Sequence, residues 1–538
     1  MCAIIGFVDK RPRKVSEAIM MLTQTRHRGP DAVGLYVDGM ITHGKGATNP
    51  SKFPESAMIC LGHARLEIVG GPAGLQPITA CGGTLGLIHN GEIYNFRELT
   101  PLLEGHEMRT ESDSEVLLHL VEEFYDGDLA RAVKRAMPLL DGMYAFAVTD
   151  GKTVVLARDP IGKKPVYYIE GFPFYFASET KALKSFGREI ERLEPGNMLV
   201  VESGRIRVEE GYRIEHSPIR LTKMEAALRE YGTVFDRAVD KRIAGLKETA
   251  VLLSGGVDST LIAKAIRDRG VRVTGYCVGM RDAYDVRNAE RAASDIGIEL
   301  RTIHLTEAIV EEILPEVIEA IELNGMVQVE AAVPMYLAAR MASQDGHKVM
   351  FSGQAADELF GGYSWYAEVV REHGYLTLHN RMWEDIATLY LDTLEREDRM
   401  TMAHSIELRA PFLDRDLIRK AMQISPKLKV REPMDTMRKW VHREFALRQG
   451  VPSYIAYGEK VRAQDGSAIP VLIQSLAEKH FRGREVPHIA VTDYGSNYRY
   501  LEEAYGTPEM AAFLFEITRG HDIHTFDDSL CNGRNADS

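Results

Sequence analysis

The stretch spanning residues 249–269 constrains the fold of this chain more than any other. Residues 249–253 read as a buried apolar strand, Ser254-Gly255-Gly256-Val257-Asp258-Ser259 follows, and a helical pattern runs from 259 to 269. A strand that passes through a glycine-rich turn directly into a helix is half of a β–α–β unit, which needs a parallel partner strand. Partners follow in register: strands at 271–278, 300–305 and 347–351, helices at 288–296 and in the stretch before 347. The expectation is a parallel sheet covered by helices. A long amphipathic helix over 222–243 precedes it, and the pattern beyond Gly361 is mostly helical.

The first two hundred residues have a different texture. Short segments at 58–61, 84–89, 145–149, 153–157, 166–169 and 174–177 have strand character and are separated by Gly, Pro and Asn turns. Helical period appears at 14–25 and at 114–125, the latter with Ser112 or Asp113 available as its cap. A hairpin is expected over 195–211. At 538 residues the chain is too long for one core. We therefore expect a first domain over 1–211, a second over 222–518 and a loose polar tail over 519–538. No internal repeat or low-complexity segment is evident.

Composition excludes several classes. A hydrophobic fraction of 45% and a charged fraction of 27% are those of a globular protein. The net charge of −13 argues against a broad nucleic-acid surface. Cys2, Cys60, Cys81, Cys277 and Cys531 form no C-x-x-C pair and have no histidine at ligand spacing, so neither a disulfide framework nor a structural zinc site is expected. Neither a signal peptide nor a membrane-spanning run is legible. The expectation is a cytoplasmic protein with no nucleic-acid or membrane partner, and a homodimer is compatible with it.

The 254–259 loop suits a phosphate ligand. Glycines let the backbone come close, the amides at the following helix start point at an anion, and Ser254 and Ser259 add hydroxyl donors. It is not a Walker A loop. S-G-G-x-D-S resembles the pyrophosphate loop of the N-type ATP pyrophosphatases, which cleave ATP between its α- and β-phosphates. A second loop, from Ser352-Gly353-Gln354-Ala355-Ala356-Asp357-Glu358 to Gly361-Gly362-Tyr363, also follows a strand and pairs small residues with carboxylates.

Cys2 alone is a weak signal, since a cysteine near a terminus is usually a small hydrophobe. Its position gives it chemistry. With Met1 removed, an α-amino group of pKa about 7.7–8.0 stands beside a thiol of about 8.5 and can act as its base. Behind it come Arg26-His27-Arg28-Gly29-Pro30-Asp31, Gly62-His63-Ala64-Arg65-Leu66, Asn90-Gly91-Glu92-Ile93-Tyr94-Asn95 and Ser112-Asp113. In that order they resemble the glutaminase domain of the N-terminal-nucleophile (class II) glutamine amidotransferases. Together with the two later loops, the run from Arg158-Asp159-Pro160 to Tyr168, Ala177-Ser178-Glu179, and the run from Glu407 to Asp414, the chain up to about residue 470 resembles the glutamine-hydrolysing asparagine synthetases.

The resemblance implies two domains: an N-terminal α+β domain of layered sheets, Ntn-hydrolase-like, and a C-terminal α/β domain like the ATP pyrophosphatases, with a helical end. It implies Cys2 as nucleophile, Asn90 and Gly91 as oxyanion hole, Arg65 on the glutamine α-carboxylate, and Glu92 and Asp113 on its α-amino group. For ATP it implies Leu253, Ser254, Gly255, Gly256, Asp258, Ser259, Val278, Ser352 and Gly353, with Asp258 and Asp357 on Mg²⁺ and Lys460 over the phosphates and acyl-adenylate. The implied substrates are glutamine, ATP and aspartate. Ammonia released at Cys2 would pass internally to the second site.

Two positions depart from the pattern. Gln354 stands where the family has a glutamate proposed as base, and an amide accepts no proton at neutral pH. Glu330, in Val327 to Ala332, stands where the family has an arginine resembling a clamp for the aspartate carboxylate. These leave open an amidotransferase of the same architecture acting on another carboxylate. A non-catalytic nucleotide- or glutamine-sensing relative is the third reading, opposed by the presence of Cys2, Arg65, Asn90, Asp113 and Asp258.

Overall fold

The computed structural model describes residues 2–44, 54–323, 325–461, 463–486 and 507–518. The tail expected over 519–538, with Cys531, lies outside the described residues. The chain forms two compact units, one of residues 1–215 with 402–407, the other of 216–401 with 408–538.

The first unit is built on two antiparallel sheets. Its strands are β1 (Ala3–Lys14), β2 (Ala32–Val37), β3 (Met40–Gly44), β4 (Ser56–Arg65), β5 (Ile78–Thr79), β6 (Gly86–Ile93) and β7 (Gly142–Thr149). Then come β8 (Thr153–Arg158), β9 (Tyr167–Ile169), β10 (Phe174–Ala177), β11 (Glu191–Arg192), β12 (Asn197–Glu202) and β13 (Arg205–Glu210). One sheet has the order β11-β9-β10-β1-β4-β2-β3, the other β13-β12-β8-β7-β6-β5.

The alternation of β1 shows how they layer. Ala3, Ile5 and Phe7 point one way and pack on helix α1 (Val15–Gln24) through Val15, Ala18, Met21 and Leu22. Ile4 and Val8 point the other way, into a core shared with Ile88 of β6, Ala145 of β7 and Leu156 of β8. The far side of the second sheet is covered by α2 (Asp113–Glu123) and α3 (Leu129–Ala136). The unit is a helix–sheet–sheet–helix sandwich, and β1 is a central strand whose first half, residues 3–8, is buried on both faces. Residues 32–37 carry no clear strand signal in sequence because all six are buried, which removes the polar alternation.

The second unit holds a five-stranded sheet of order β16-β15-β14-β17-β18, with β14 (Glu248–Leu252), β15 (Arg272–Gly279), β16 (Glu299–His304), β17 (Val349–Phe351) and β18 (Glu407–Arg409). β14 pairs in parallel with both β15 and β17, and β15 with β16. Helices α4 (Met224–Ile243), α5 (Val257–Asp268), α6 (Tyr284–Ile296), α7 (Glu307–Ile321), α8 (Met326–Gln344), α9 (Ala356–Phe360) and α10 (Trp440–Arg448) belong to this unit. The carboxyl ends of β14 and β17 lie side by side, where ligand crevices form in open parallel sheets. Among the described residues no helix is long and apolar enough to cross a membrane.

Candidate active sites

In the first unit, the start of β1 is held on every side. Ser178 Oγ accepts from the Ile4 amide at 3.0 Å, and the Ser178 amide donates to the Ile4 carbonyl at 3.0 Å. The Arg28 guanidinium donates to the Cys2 carbonyl at 3.1 Å and pairs with Glu179 at 2.8 Å, both side chains fully buried. His27 and Lys181 also reach Glu179, at 3.0 Å each. Burial alone would push the Glu179 carboxyl up, but His27, Lys181 and Arg28 together hold it well below the usual range. The Arg-His-Arg and Ala-Ser-Glu segments thus anchor the backbone that carries Cys2.

The Cys2 nitrogen donates to Asn90 Oδ1 at 3.1 Å, and Asn90 Nδ2 is buried with no hydrogen-bond partner among the described residues. A buried amide donor left unsatisfied costs about 1–3 kcal/mol, so its persistence asks for a ligand acceptor. The next residue is Gly91, at φ 156°, where an added Cβ would meet the Met143 carbonyl at 2.0 Å. Only glycine fits there.

The Cys2 thiol is buried, 4.0 Å from the Leu66 carbonyl, and burial raises its pKa against the opposing pull of the Leu66 contact and Arg65. It is therefore not ionised in advance, and a nucleophilic role for it would require a base. Neither His63 nor His89 suits that role, because burial depresses both to about 3. They hold structure instead. His63 Nε2 meets the His89 carbonyl at 3.1 Å, and His89 Nδ1 meets Ser114 Oγ at 2.9 Å. Gln76 joins them by accepting from the His89 amide at 2.5 Å and donating to Ser114 at 3.1 Å. This network fastens β6, with Asn90, to the first turn of α2.

Arg65 is buried, with Nη2 donating to the carbonyls of Val69 at 3.2 Å and Gly71 at 2.6 Å. Asp113 is not the helix cap; Ser112 takes that role by accepting from the Ser114 amide. The Asp113 carboxylate accepts from the Ile93 amide at 2.9 Å, and burial raises its pKa to about 6. Glu92 is buried on β6 between Gly91 and Ile93.

In the second unit, Gly256 caps α5 and the helix begins at Val257, so the 254–259 loop sits at a helix N-terminus. Gly255 has φ +72°, and a Cβ there would meet the α6 backbone at Asn288 at 2.3 Å. Ser254 Oγ and Ser259 Oγ are 3.4 Å apart. The loop after β17 comes close: a Cβ on Gly353 would lie 2.8 Å from Asp258 Cβ. Among the described residues Ser352 Oγ is buried without a hydrogen-bond partner. Leu253 and Val278 are buried at the ends of β14 and β15, and the Leu253 amide donates to the Tyr276 carbonyl at 2.9 Å.

Asp258 and Asp357 share one cation, and sequence reasoning missed it. Lys439 Nζ lies 2.7 Å from Asp258 Oδ2 and 2.8 Å from Asp357 Oδ1. Lys460 Nζ lies 2.9 Å from Asp357 Oδ2, and His442 Nε2 lies 2.9 Å from Asp258 Oδ1. Burial opposes ionisation, but Lys439, His442 and Lys460 hold Asp258 well below the usual carboxylate range, and Lys439 and Lys460 lower Asp357 as well. The backbone at Lys439 has φ +54°, following Arg438 at +50°; two consecutive left-handed residues are strained and mark a position set by its surroundings. Arg443 holds the flanking loops by donating to the carbonyls of Met437 at 2.8 Å, Ala456 at 2.8 Å and Gly458 at 2.9 Å. Nothing in the spacing of Lys439 to either aspartate signals this arrangement.

The two departures have their places too. Gln354 lies in the turn before α9, and Glu358 on that helix is buried, donated to by the Tyr363 hydroxyl at 2.5 Å. Burial and the Asp357 charge raise the Glu358 carboxyl to about 7. Glu330 is buried in α8, where Gln328, two residues earlier, accepts from Arg396.

A layered N-terminal-nucleophile fold with Cys2 at the start of a central strand, and a parallel-sheet unit with paired phosphate-type loops, define a class II glutamine amidotransferase joined to an ATP-using synthetase. Family comparison agrees: residues 1–202 match the glutamine amidotransferase domain, and residues 230–376 and 370–509 match asparagine synthase. A Methanocaldococcus jannaschii protein provisionally named asparagine synthetase (glutamine-hydrolysing) 1 is 34% identical over 89% of this chain and 96% of its own. Asparagine synthetase (glutamine-hydrolysing) 3 of Arabidopsis thaliana is 30% identical over 86% of this chain and 78% of its own. The corresponding protein 2 of Oryza sativa subsp. japonica is 30% identical over 86% and 76%. The chain belongs to the glutamine-hydrolysing asparagine synthetase family, carbon–nitrogen ligases that couple glutamine hydrolysis to ATP-dependent amide synthesis.

Proposed function

We propose that the chain makes asparagine from aspartate, with Cys2 as the glutaminase nucleophile. With Met1 removed, the α-amino group of Cys2 takes the thiol proton and the sulfur attacks the glutamine amide carbon. The carbonyl oxygen gains negative charge opposite Asn90 Nδ2 and the Gly91 amide. Collapse releases ammonia, leaving a thioester that water hydrolyses to glutamate. Arg65 holds the α-carboxylate of glutamine, and Asp113 with Glu92 its α-amino group.

At the second site, an aspartate carboxylate oxygen attacks the α-phosphorus of ATP, pyrophosphate leaves, and an acyl-adenylate forms. The 254–259 loop receives the pyrophosphate through its amides and the Ser254 and Ser259 hydroxyls, while Ser352 and Gly353 bind the nucleotide and Leu253 and Val278 face its base. Lys439 and Lys460 bring positive charge against the phosphates. Ammonia then attacks the acyl carbon and AMP departs. Asp258 and Asp357, bridged here by Lys439, are hard oxygen donors of the kind that would hold Mg²⁺, which would neutralise phosphate charge when bound. Gln354 takes no proton from the attacking ammonia; positioning and charge stabilisation carry that step.

The observation that carries the glutaminase half of this reading is the Cys2–Asn90 bond, which leaves Nδ2 as a buried donor without a partner among the described residues. A second reading, an acceptor other than aspartate, is favoured by one observation: Glu330 is an acid buried where a carboxylate clamp is expected. Pyrophosphate release across a panel of amino acids and other carboxylates separates the two. Release that depends on aspartate supports the first. Silence with aspartate and release with another acid would establish the second.

A further inference from the structure

Cys81, His106, His119 and Glu122 come together on the outer side of the first unit, with one ligand atom from each lying within 4.8 Å of all the others. Along the chain they are separated by steps of 25, 13 and 3 residues, which is why spacing alone showed no site. The contacts are specific. Glu122 Oε2 lies 2.9 Å from His119 Nδ1 and 3.1 Å from His106 Nδ1, and Cys81 Sγ lies 3.8 Å from His119 Nδ1. A tetrahedron with metal–ligand bonds of about 2.0–2.3 Å has edges of roughly 3.3–3.8 Å, so these donors need only small shifts to share one ion.

The outer contacts match as well. Metal-bound histidines characteristically give their second ring nitrogen to a carboxylate. His106 Nε2 meets Glu123 Oε2 at 3.1 Å, while His119 Nε2 faces Glu115 Oε1 at 3.8 Å, beyond hydrogen-bond distance. The Glu107 amide donates to Cys81 Sγ at 3.3 Å, a bond that favours the thiolate form. His106 and Glu123 form one such imidazole–carboxylate pair beside the shared centre.

We propose that these four residues form a structural site for a borderline divalent transition metal, Zn²⁺ in the first instance. One thiolate, two imidazoles and one carboxylate are a zinc-type donor set, unsuited to Mg²⁺ or Ca²⁺, and four protein ligands leave no open position for catalysis. The ion ties the loop at 81–84 and the turn at 103–107 to α2. That helix begins at Asp113, so the site also steadies the element that carries the proposed glutamine ligand.

The test is Zn²⁺ binding by the full-length protein in competition with a chromogenic chelator, together with Co²⁺ substitution followed by absorption. The proposal expects one ion per chain, a thiolate-to-cobalt charge-transfer band with intense tetrahedral visible bands, and a lower Tm after chelation that Zn²⁺ restores. Cys81→Ser should abolish the charge-transfer band and weaken Zn²⁺ binding at least ~100-fold. His106→Gln should weaken binding too, and it keeps the test open should the first variant fold poorly. Cys2→Ala should leave binding intact, excluding the nucleophile as the ligand. Absence of Zn²⁺ binding, or binding undiminished by Cys81→Ser and His106→Gln, would overturn the proposal.

Discussion

The nitrogen of Cys2 donates to Oδ1 of Asn90 across 3.1 Å, and this one bond fixes which end of the amide faces the proposed substrate. With Oδ1 committed, Nδ2 is the buried donor left over. Asn90→Ala should therefore lower glutaminase kcat by about 10²–10³-fold, the usual cost of an oxyanion donor. Synthesis from added ammonium should stay near wild type. Steady-state glutamate release and ammonium-dependent AMP formation measure the two.

Asp113 makes the glutaminase pH-dependent in a predictable direction. Burial raises its carboxyl to about 6, so it loses its charge as pH falls through that value. In the proposed binding mode the ammonium of glutamine then loses its partner. KM for glutamine should rise below about pH 6, with kcat changing less because bound substrate keeps Asp113 ionised. A pH series of KM and kcat checks this, with Asp113→Asn expected to give a high KM insensitive to pH in that range.

Lys439 sits between two carboxylates whose mutual repulsion it relieves. Lys439→Met should reduce ATP-dependent pyrophosphate release by about 10²-fold or more, the scale of a lost preorganised charge. Glutamine hydrolysis at Cys2 should persist. A parallel fall in both activities would indicate loss of folding instead, which circular dichroism distinguishes.

The buried Arg28–Glu179 pair holds the backbone at Cys2, so breaking it should show in stability. Glu179→Ala leaves Arg28 in the core without its carboxylate and should cost about 3–5 kcal/mol in urea unfolding. Because the Glu179 carboxyl is held well below its unfolded value, its contribution is present above the unfolded carboxylate pKa and is lost as pH falls. The wild type should approach the variant's stability in acid.

Legibility in the sequence followed locality. The 249–269 segment was readable because strand, turn and helix are contiguous, and the observed β14 and α5 lie within a residue or two of the expectation. The hairpin at 195–211 and the helix at 222–243 were readable for the same reason. β2 was not, because burial on both faces erases alternation. Residues 402–407 joining the first unit left no trace in pattern, since they are a short stretch far along the chain. At the sites, motifs flagged Asn90, Asp113, Asp258 and Asp357, but Lys439 reaches its partners by a strained backbone that no propensity encodes. The ligand atoms of Cys81 and His119 converge only because β5 and α2 pack on the same sheet. Contacts made by tertiary packing alone were the ones the sequence withheld.

The most direct test of the central claim is amide synthesis by Cys2→Ala with glutamine and with ammonium as alternative nitrogen donors. Loss of glutamine-dependent product by at least ~10³-fold, with ammonium-dependent product retained, is the expected result. Glutamine-dependent synthesis that survives in Cys2→Ala would contradict it.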